Sequence, residues 1–171
     1  MTPGSPPLDP EVFRSLMGGV AGHVAVVTAL DPEGRPVGLT TTAVTSVSAE
    51  PPLLLVCVDL TSRTLPALRQ GRRFVVNFMH DGSEALAARF ASKRDDKFAG
   101  VEWRPSAHGI PVLSAHSIGW AECRIVEEVE AGDHVVLIGG LEAGEIVDEE
   151  GGALLYHRRR FGSWAPLASS S

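Results

Sequence analysis

What this 171-residue chain has little of narrows it first. There are only two cysteines, Cys57 and Cys123, far apart and in apolar surroundings, with no Cys-x-x-Cys pair. That spacing excludes a zinc ribbon or dithiol motif and reads as two buried, reduced thiols of a cytoplasmic protein, with a disulfide as the alternative. The six histidines, His23, His80, His108, His116, His134 and His157, show no metal-ligand spacing. Basic residues are in deficit, 15 against 21 acids, and the net charge of -6 argues against nucleic acid or an anionic membrane as partner. The longest apolar run, near Leu53–Val58, is far short of a bilayer span. The opening "MTPGSPPLDPE" has no basic start and no apolar stretch, so residues 1–10 read as a flexible lead rather than a signal peptide. No glycine-rich strand-to-helix fingerprint, paired carboxylates or nucleophile triad is present, which sets aside a Rossmann domain and most hydrolytic chemistry.

What is present is short strand patterns and turns. A helix is expected from Asp9 to Met17, with Val12, Phe13, Leu16 and Met17 on one face. "HVAVVTAL" (23–30) predicts a strand, "DPEGRP" a turn, and residues 37–48 one partner strand. Leu53–Val58 predicts a fully buried strand, and residues 62–71 a short helix that Pro66 delays. "RRFVVNFM" (72–79) returns to strand character, and "SEALAARFAS" (83–92) is the clearest helix. Further strands are expected at 117–130 and 134–147, with a last one in "ALLYHRRRFGSW" (153–164). Nothing divides the chain, so residues 11–164 read as one domain and 165–171 as a disordered tail. The fold class is mainly β (α+β): a small antiparallel barrel with a few short peripheral helices.

Two stretches invite a ligand. Residues 40–48 hold six hydroxyl side chains, one alanine and two valines, with no charge. A period of two would put Thr40, Thr42, Val44, Ser46 and Ser48 on one face, where a flat ligand could lie close to the backbone. A threonine-rich edge strand explains the same pattern. "DLTSRT" (59–64) supplies hydroxyls and an arginine before a helix, which suits either a phosphate cradle or a plain cap. Lys93, Arg94 and Lys97 could neutralise the same phosphate or form a solvated loop.

In order and spacing, "GHVAVVTA" (22–29), "GLTTTAVTSVSAEPPLLLVCVDLTSRT" (38–64), "FVVNFM" (74–79), "LAARFASKRDDKFAGVEW" (86–103), "GIPVL" (109–113), "AGDHVVLIGGL" (131–141) and "LLYHRRRFG" (154–162) resemble the flavin reductase-like family. That resemblance implies a split antiparallel β-barrel with Greek-key-like connections, and a homodimer that reduces FMN or FAD by hydride transfer from NADH or NADPH and supplies a flavin-dependent oxygenase. It implies that Thr41, Thr42, Ala43, Ser46, Val47, Ser48 and Cys57 line the flavin ring. Ser62, Arg63 and Thr64 would approach its phosphate, with Ala91, Ser92 and Lys97 in a second contact loop. His134 would act at the nicotinamide, and Tyr156 and Arg160 would hold the pyridine nucleotide. The chain departs from the family pattern at Thr42–Ala43, where asparagine then serine is common, at His23 and at Gly140. A tightly flavin-bound electron carrier and a non-catalytic flavin-binding protein are the competing expectations.

Overall fold

The computed structural model of the protein describes residues 8–164; the expected tail (165–171) and the first seven residues of the expected lead lie outside the described residues. Helix α1 (Pro10–Gly18) starts where the Asp9 carboxylate accepts the Glu11 amide at 2.6 Å, with proline in the first turn. Strands β1 (Gly22–His23) and β2 (Ala25–Leu30) follow, then β3 (Pro36–Thr41), β4 (Val44–Ala49) and β5 (Pro52–Asp59). Helix α2 (Leu65–Gly71) precedes β6 (Arg73–Met79), and α3 (Glu84–Ala91) precedes the short β7 (Arg104–Pro105) and β8 (Pro111–Val112). Two long strands, β9 (Ser117–Ala131) and β10 (His134–Ile146), lead to the hairpin β11 (Leu154–His157) and β12 (Arg160–Ser163).

Seven strands form one antiparallel sheet in the order β3-β2-β6-β9-β10-β5-β4. Its two edges, β3 and β4, are neighbours in the chain, separated only by Thr42 and Ala43. Three residue steps reach at most about 11 Å, so the sheet has to curl until its edges approach. The concave face is a single apolar cluster: Val27, Val56, Phe74, Val76, Cys123 and Leu137, sealed at one end by Leu65 and Leu68 of α2. Each such large side chain contributes about 1.5–3 kcal/mol by leaving water. The opposite face of β2 and β6 is covered by α3 and the loop after it, through Val24, Val26, Met79, Phe90 and Leu113. Buried Asn77 pins that loop: its Nδ2 donates to the Val26 carbonyl at 3.0 Å and its Oδ1 accepts the Leu113 amide at 2.7 Å.

Three expectations need correction. Residues 37–48 are not one strand. The chain leaves the sheet at Thr42–Ala43 to cross from one edge to the other, and a bulge between Ser46 and Ser48 breaks the alternation again. Residues 53–58 are not buried on both faces, because Leu54, Val56 and Val58 point into the core while Leu53, Leu55 and Cys57 are half-exposed. Residues 153–164 form a hairpin, because Arg158 and Arg159 both adopt positive φ, 47° and 63°, and reverse the chain. The strand ladder is open between β3 and β4, and the topology displays a mainly antiparallel α+β fold with three α-helices among the described residues. The apolar face of α1 finds no cover among the described residues: Val12, Phe13, Leu16 and Met17 are all exposed.

Candidate functional site

At the end of β5 the chain turns tightly. The Asp59 carboxylate accepts both the amide and the hydroxyl of Thr61, each at 2.6 Å, and those bonds hold it below the usual carboxylate range. The Ser62 hydroxyl then accepts the Thr64 amide at 3.3 Å, and α2 begins. This turn, β3, the end of α3 and the loop after it (residues 90–98) surround a cavity of about 460 Å³, a volume suited to a small molecule.

Six of the expected site residues meet there: Ser62, Arg63, Thr64, Ala91, Ser92 and Lys97. Arg63 ties the two walls together by donating to the Lys93 carbonyl at 3.1 Å and pairing with Asp95. Lys97 is half-buried, and its ammonium donates to the carbonyls of Gly38 at 3.1 Å and Phe90 at 2.8 Å. Burial, and secondarily the Arg63 charge, lower its pKa from the usual lysine value. An ammonium has three donors, so one remains for a ligand. Thr64 is only 4% exposed, yet its hydroxyl has no protein partner among the described residues. Arg94, by contrast, is paired in bidentate fashion with Asp96, holding that carboxylate at about 2, and carries little free charge. Ser92 is engaged in closing α3, donating to the Arg89 carbonyl at 2.7 Å.

The other expected residues lie along the crossover. Thr41, Thr42 and Ala43 continue directly from Thr40 at the cavity wall, and the Ala43 carbonyl accepts the Cys57 amide at 3.0 Å. Burial raises the Cys57 thiol, so it is a neutral side chain there. A Cβ on Gly22 would stand 2.9 Å from that of Thr42, and Gly22 pairs with Tyr156 across the small sheet β1-β11-β12. Glycine therefore lets the hairpin abut the crossover. Tyr156 in turn packs on Phe161, ring centres 5.1 Å apart. His134 opens β10 directly across the ladder from Asp59. Its Nδ1 bonds the Asp133 carboxylate at 2.8 Å, which lowers the Asp133 pKa. With Asp133 ionised, Nδ1 carries the proton, and Nε2 is left for another partner.

Two groups stand apart. Ser46 and Ser48 line a separate cleft of about 360 Å³ with Leu54, Phe78 and Leu141, and Val47 is exposed at the bulge. Arg160 borders a hollow beside the β11–β12 turn. Sequence reasoning also overlooked wall residues. Gly38 accepts the Phe90 ring so closely that a Cβ would meet it at 2.9 Å, and Pro36, Leu39 and Phe98 complete the enclosure. The signal was the glycine that opens "GLTTTA", since a strand glycine marks a close approach.

A curled antiparallel sheet with a hydroxyl- and lysine-lined cavity at a strand end defines a small, mainly β protein with a polar pocket beside its sheet edge. Comparison with known proteins gives the family. A family model described as a flavin reductase like domain matches residues 17–165. The chain is 46% identical over 158 residues, 92% of its length and 83% of the relative's, to a flavin reductase (NADH) of Kitasatospora aureofaciens. The crystal structure of nitrilotriacetate monooxygenase component B from Mycobacterium thermoresistibile aligns with a TM-score of 0.87 at 33% identity, over 93% of this chain and 88% of that one. The NADH:FAD oxidoreductase of Streptomyces globisporus C-1027, solved with NAD and FAD fragments, aligns with a TM-score of 0.87 at 30% identity, over 96% of this chain and all of that one. The chain belongs to the flavin reductase-like family.

Proposed function

We propose that the protein is an NAD(P)H-dependent flavin reductase that reduces FMN or FAD and supplies the product to a flavin-dependent oxygenase. The observation that carries this reading is the cavity where Ser62, Thr64 and Lys97 converge, with one ammonium donor and one hydroxyl uncommitted to protein. A flavin phosphate fits that donor set, whereas an apolar ligand would leave both donors unpaired. When bound, the flavin supplies the hydride-accepting chemistry. The residues of the chain do the rest. Ser62, Arg63, Thr64, Ala91, Ser92 and Lys97 hold the phosphate end. Thr41, Thr42, Ala43 and Cys57 run from that cavity toward Gly22 and Tyr156 and present small or neutral side chains to a ring. We assign Ser46, Val47 and Ser48 to the far margin of the ring. Tyr156 and Arg160 orient the pyridine nucleotide, and His134, its Nδ1 fixed by Asp133, offers Nε2 to the reactants.

The same reading includes residues 11–164 as the flavin-binding domain, a split β-barrel and a homodimer. The two-residue link between the edge strands supports barrel closure. An apolar outer stripe supports the dimer: Leu53 and Leu55 of β5, Val136 and Ile138 of β10, and exposed Val126 and Val129 of β9. Two free thiols accord with a cytoplasmic site, and no helix among the described residues is long and apolar enough to cross a membrane. Stopped-flow oxidation of NADH and NADPH in the presence of FMN or FAD tests the central claim. Rapid oxidation that requires added or bound flavin is expected; no oxidation with any of the four combinations would overturn it.

A further inference from the structure

The chain has thirteen arginines. Eight of them, Arg35, Arg63, Arg69, Arg72, Arg73, Arg94, Arg104 and Arg124, pair with carboxylates. Arg89 spends its guanidinium on the carbonyls of Asp96 and Ala99. The remaining four, Arg14, Arg158, Arg159 and Arg160, make no side-chain hydrogen bond or ion pair among the described residues, and all four border one place. Arg14 of α1 joins Arg158 and Arg159 around a cleft of about 650 Å³. Arg158 and Arg160 line an adjoining hollow of about 720 Å³ on the other side of the turn. A single carboxylate, Glu11, faces the first cleft.

In a chain with net charge -6, four exposed arginines without a carboxylate partner form a local positive patch. The backbone there is strained. Arg158 and Arg159 occupy the two positive-φ positions of a two-residue hairpin turn, where asparagine followed by glycine is the low-energy choice. The turn is nonetheless held firmly, since the Arg158 amide donates to the Gly18 carbonyl at 2.8 Å and anchors it to the end of α1. Strained backbone and unpaired positive charge at one anchored place suit a ligand that brings negative charge.

The position says which charge. The turn is the tip of the hairpin that carries Tyr156, whose ladder partner Gly22 abuts Thr42 at the crossover. On the reading proposed above, on which this inference rests, a pyridine nucleotide lies along that hairpin. NADPH differs from NADH only by a phosphate on the adenosine ribose, and arginine forks match phosphate oxygens in bidentate fashion. We propose that Arg158 and Arg159, with Arg14, form a recognition site for the 2′-phosphate of NADPH, and that the enzyme prefers NADPH to NADH.

The test replaces the turn by its favoured sequence, the double variant Arg158→Asn/Arg159→Gly, which leaves the hairpin at least as easy to form. Its Tm should equal or exceed that of the parent. The ratio of kcat/KM for NADPH over NADH should fall about tenfold to a hundredfold, chiefly through KM for NADPH, the loss of one or two charge-assisted bonds. Arg14→Ala should shift the ratio the same way by a smaller factor. Calorimetric titration of the protein without flavin supplies a readout apart from turnover. Adenosine 2′,5′-bisphosphate should bind the parent more tightly than 5′-AMP, and the double variant should lose that difference. A parent that prefers NADH, or a ratio and a ligand difference that the variant leaves unmoved, overturns the proposal while leaving the flavin reductase reading intact. Failure to oxidise either nucleotide overturns the reading itself.

Discussion

The cavity around Lys97 and the turn at Arg158–Arg159 both gather positive charge in an acidic chain, and they hold it in opposite ways. In the cavity nearly every cation has a protein partner: Arg63 has Asp95, Arg94 has Asp96, and Lys97 has two carbonyls. At the turn none does among the described residues. A cation already paired has been positioned by the fold, and its ligand meets a preorganised donor at little entropic cost. A cation left unpaired on an anchored turn depends on the ligand for its neutralisation. The first arrangement suits affinity for a group present in every turnover, and the second suits discrimination between two nucleotides that differ by one phosphate.

The comparison breaks most readily at Lys97. Lys97→Met keeps the apolar stem and removes the ammonium that joins β3 to the end of α3. Its loss should weaken FMN binding about tenfold to a hundredfold, read by quenching of flavin fluorescence. The half-buried carbonyls left behind should lower stability by about 1–3 kcal/mol in urea unfolding. Unchanged flavin affinity would mean that Lys97 is only a structural strut. A smaller effect is expected from Thr64→Ala. The Thr64 hydroxyl has no protein partner among the described residues to lose, so the stability cost should be only the buried methyl, about 1 kcal/mol. The flavin dissociation constant should nevertheless rise about two- to tenfold, the worth of one neutral hydrogen bond. Equal affinity in that variant would remove Thr64 from the phosphate end.

Much of this was legible before any coordinates. Asp9 and Pro10 announced α1, Pro66 delayed α2 to Leu65, and Leu86, Ala87 and Phe90 marked the packed side of α3, because each signal acts within one turn of backbone. The "TSRT" stretch was recognisable as one wall of a site for the same local reason. What escaped depends on chain separation. Period-two reasoning over residues 40–48 assumed an unbroken strand, and no local residue warned that Thr42–Ala43 would carry the chain between opposite edges of a curled sheet. Once the strand breaks there, Ser46 and Ser48 fall in a cleft of their own, away from Ser62 and Thr64. The arginine turn was equally hidden, since Asn-Gly would have signalled a hairpin and Arg-Arg does not. Only the partners of the other nine arginines, most of them distant in sequence, show which four are unspent.

The smallest effect is one of pH, absent near neutrality and informative in alkali. Burial, with Arg63, sets the folded-state pKa of Lys97 below the 10.5 of an unperturbed lysine. Between those two values the unfolded chain binds more protons than the folded one, so stability rises with pH across that window. The penalty of burying the ammonium is fully present below the lowered folded value and is gone above the unfolded one. Flavin affinity moves the other way, because deprotonation removes the charge that faces the phosphate. Urea midpoints and flavin titrations over the same alkaline range should therefore carry opposite slopes from Lys97, and Lys97→Met should lack both contributions. Parallel slopes, or opposite slopes that persist in the variant, would assign the titration to another group and leave the turn, not the cavity, as the place where free charge meets phosphate.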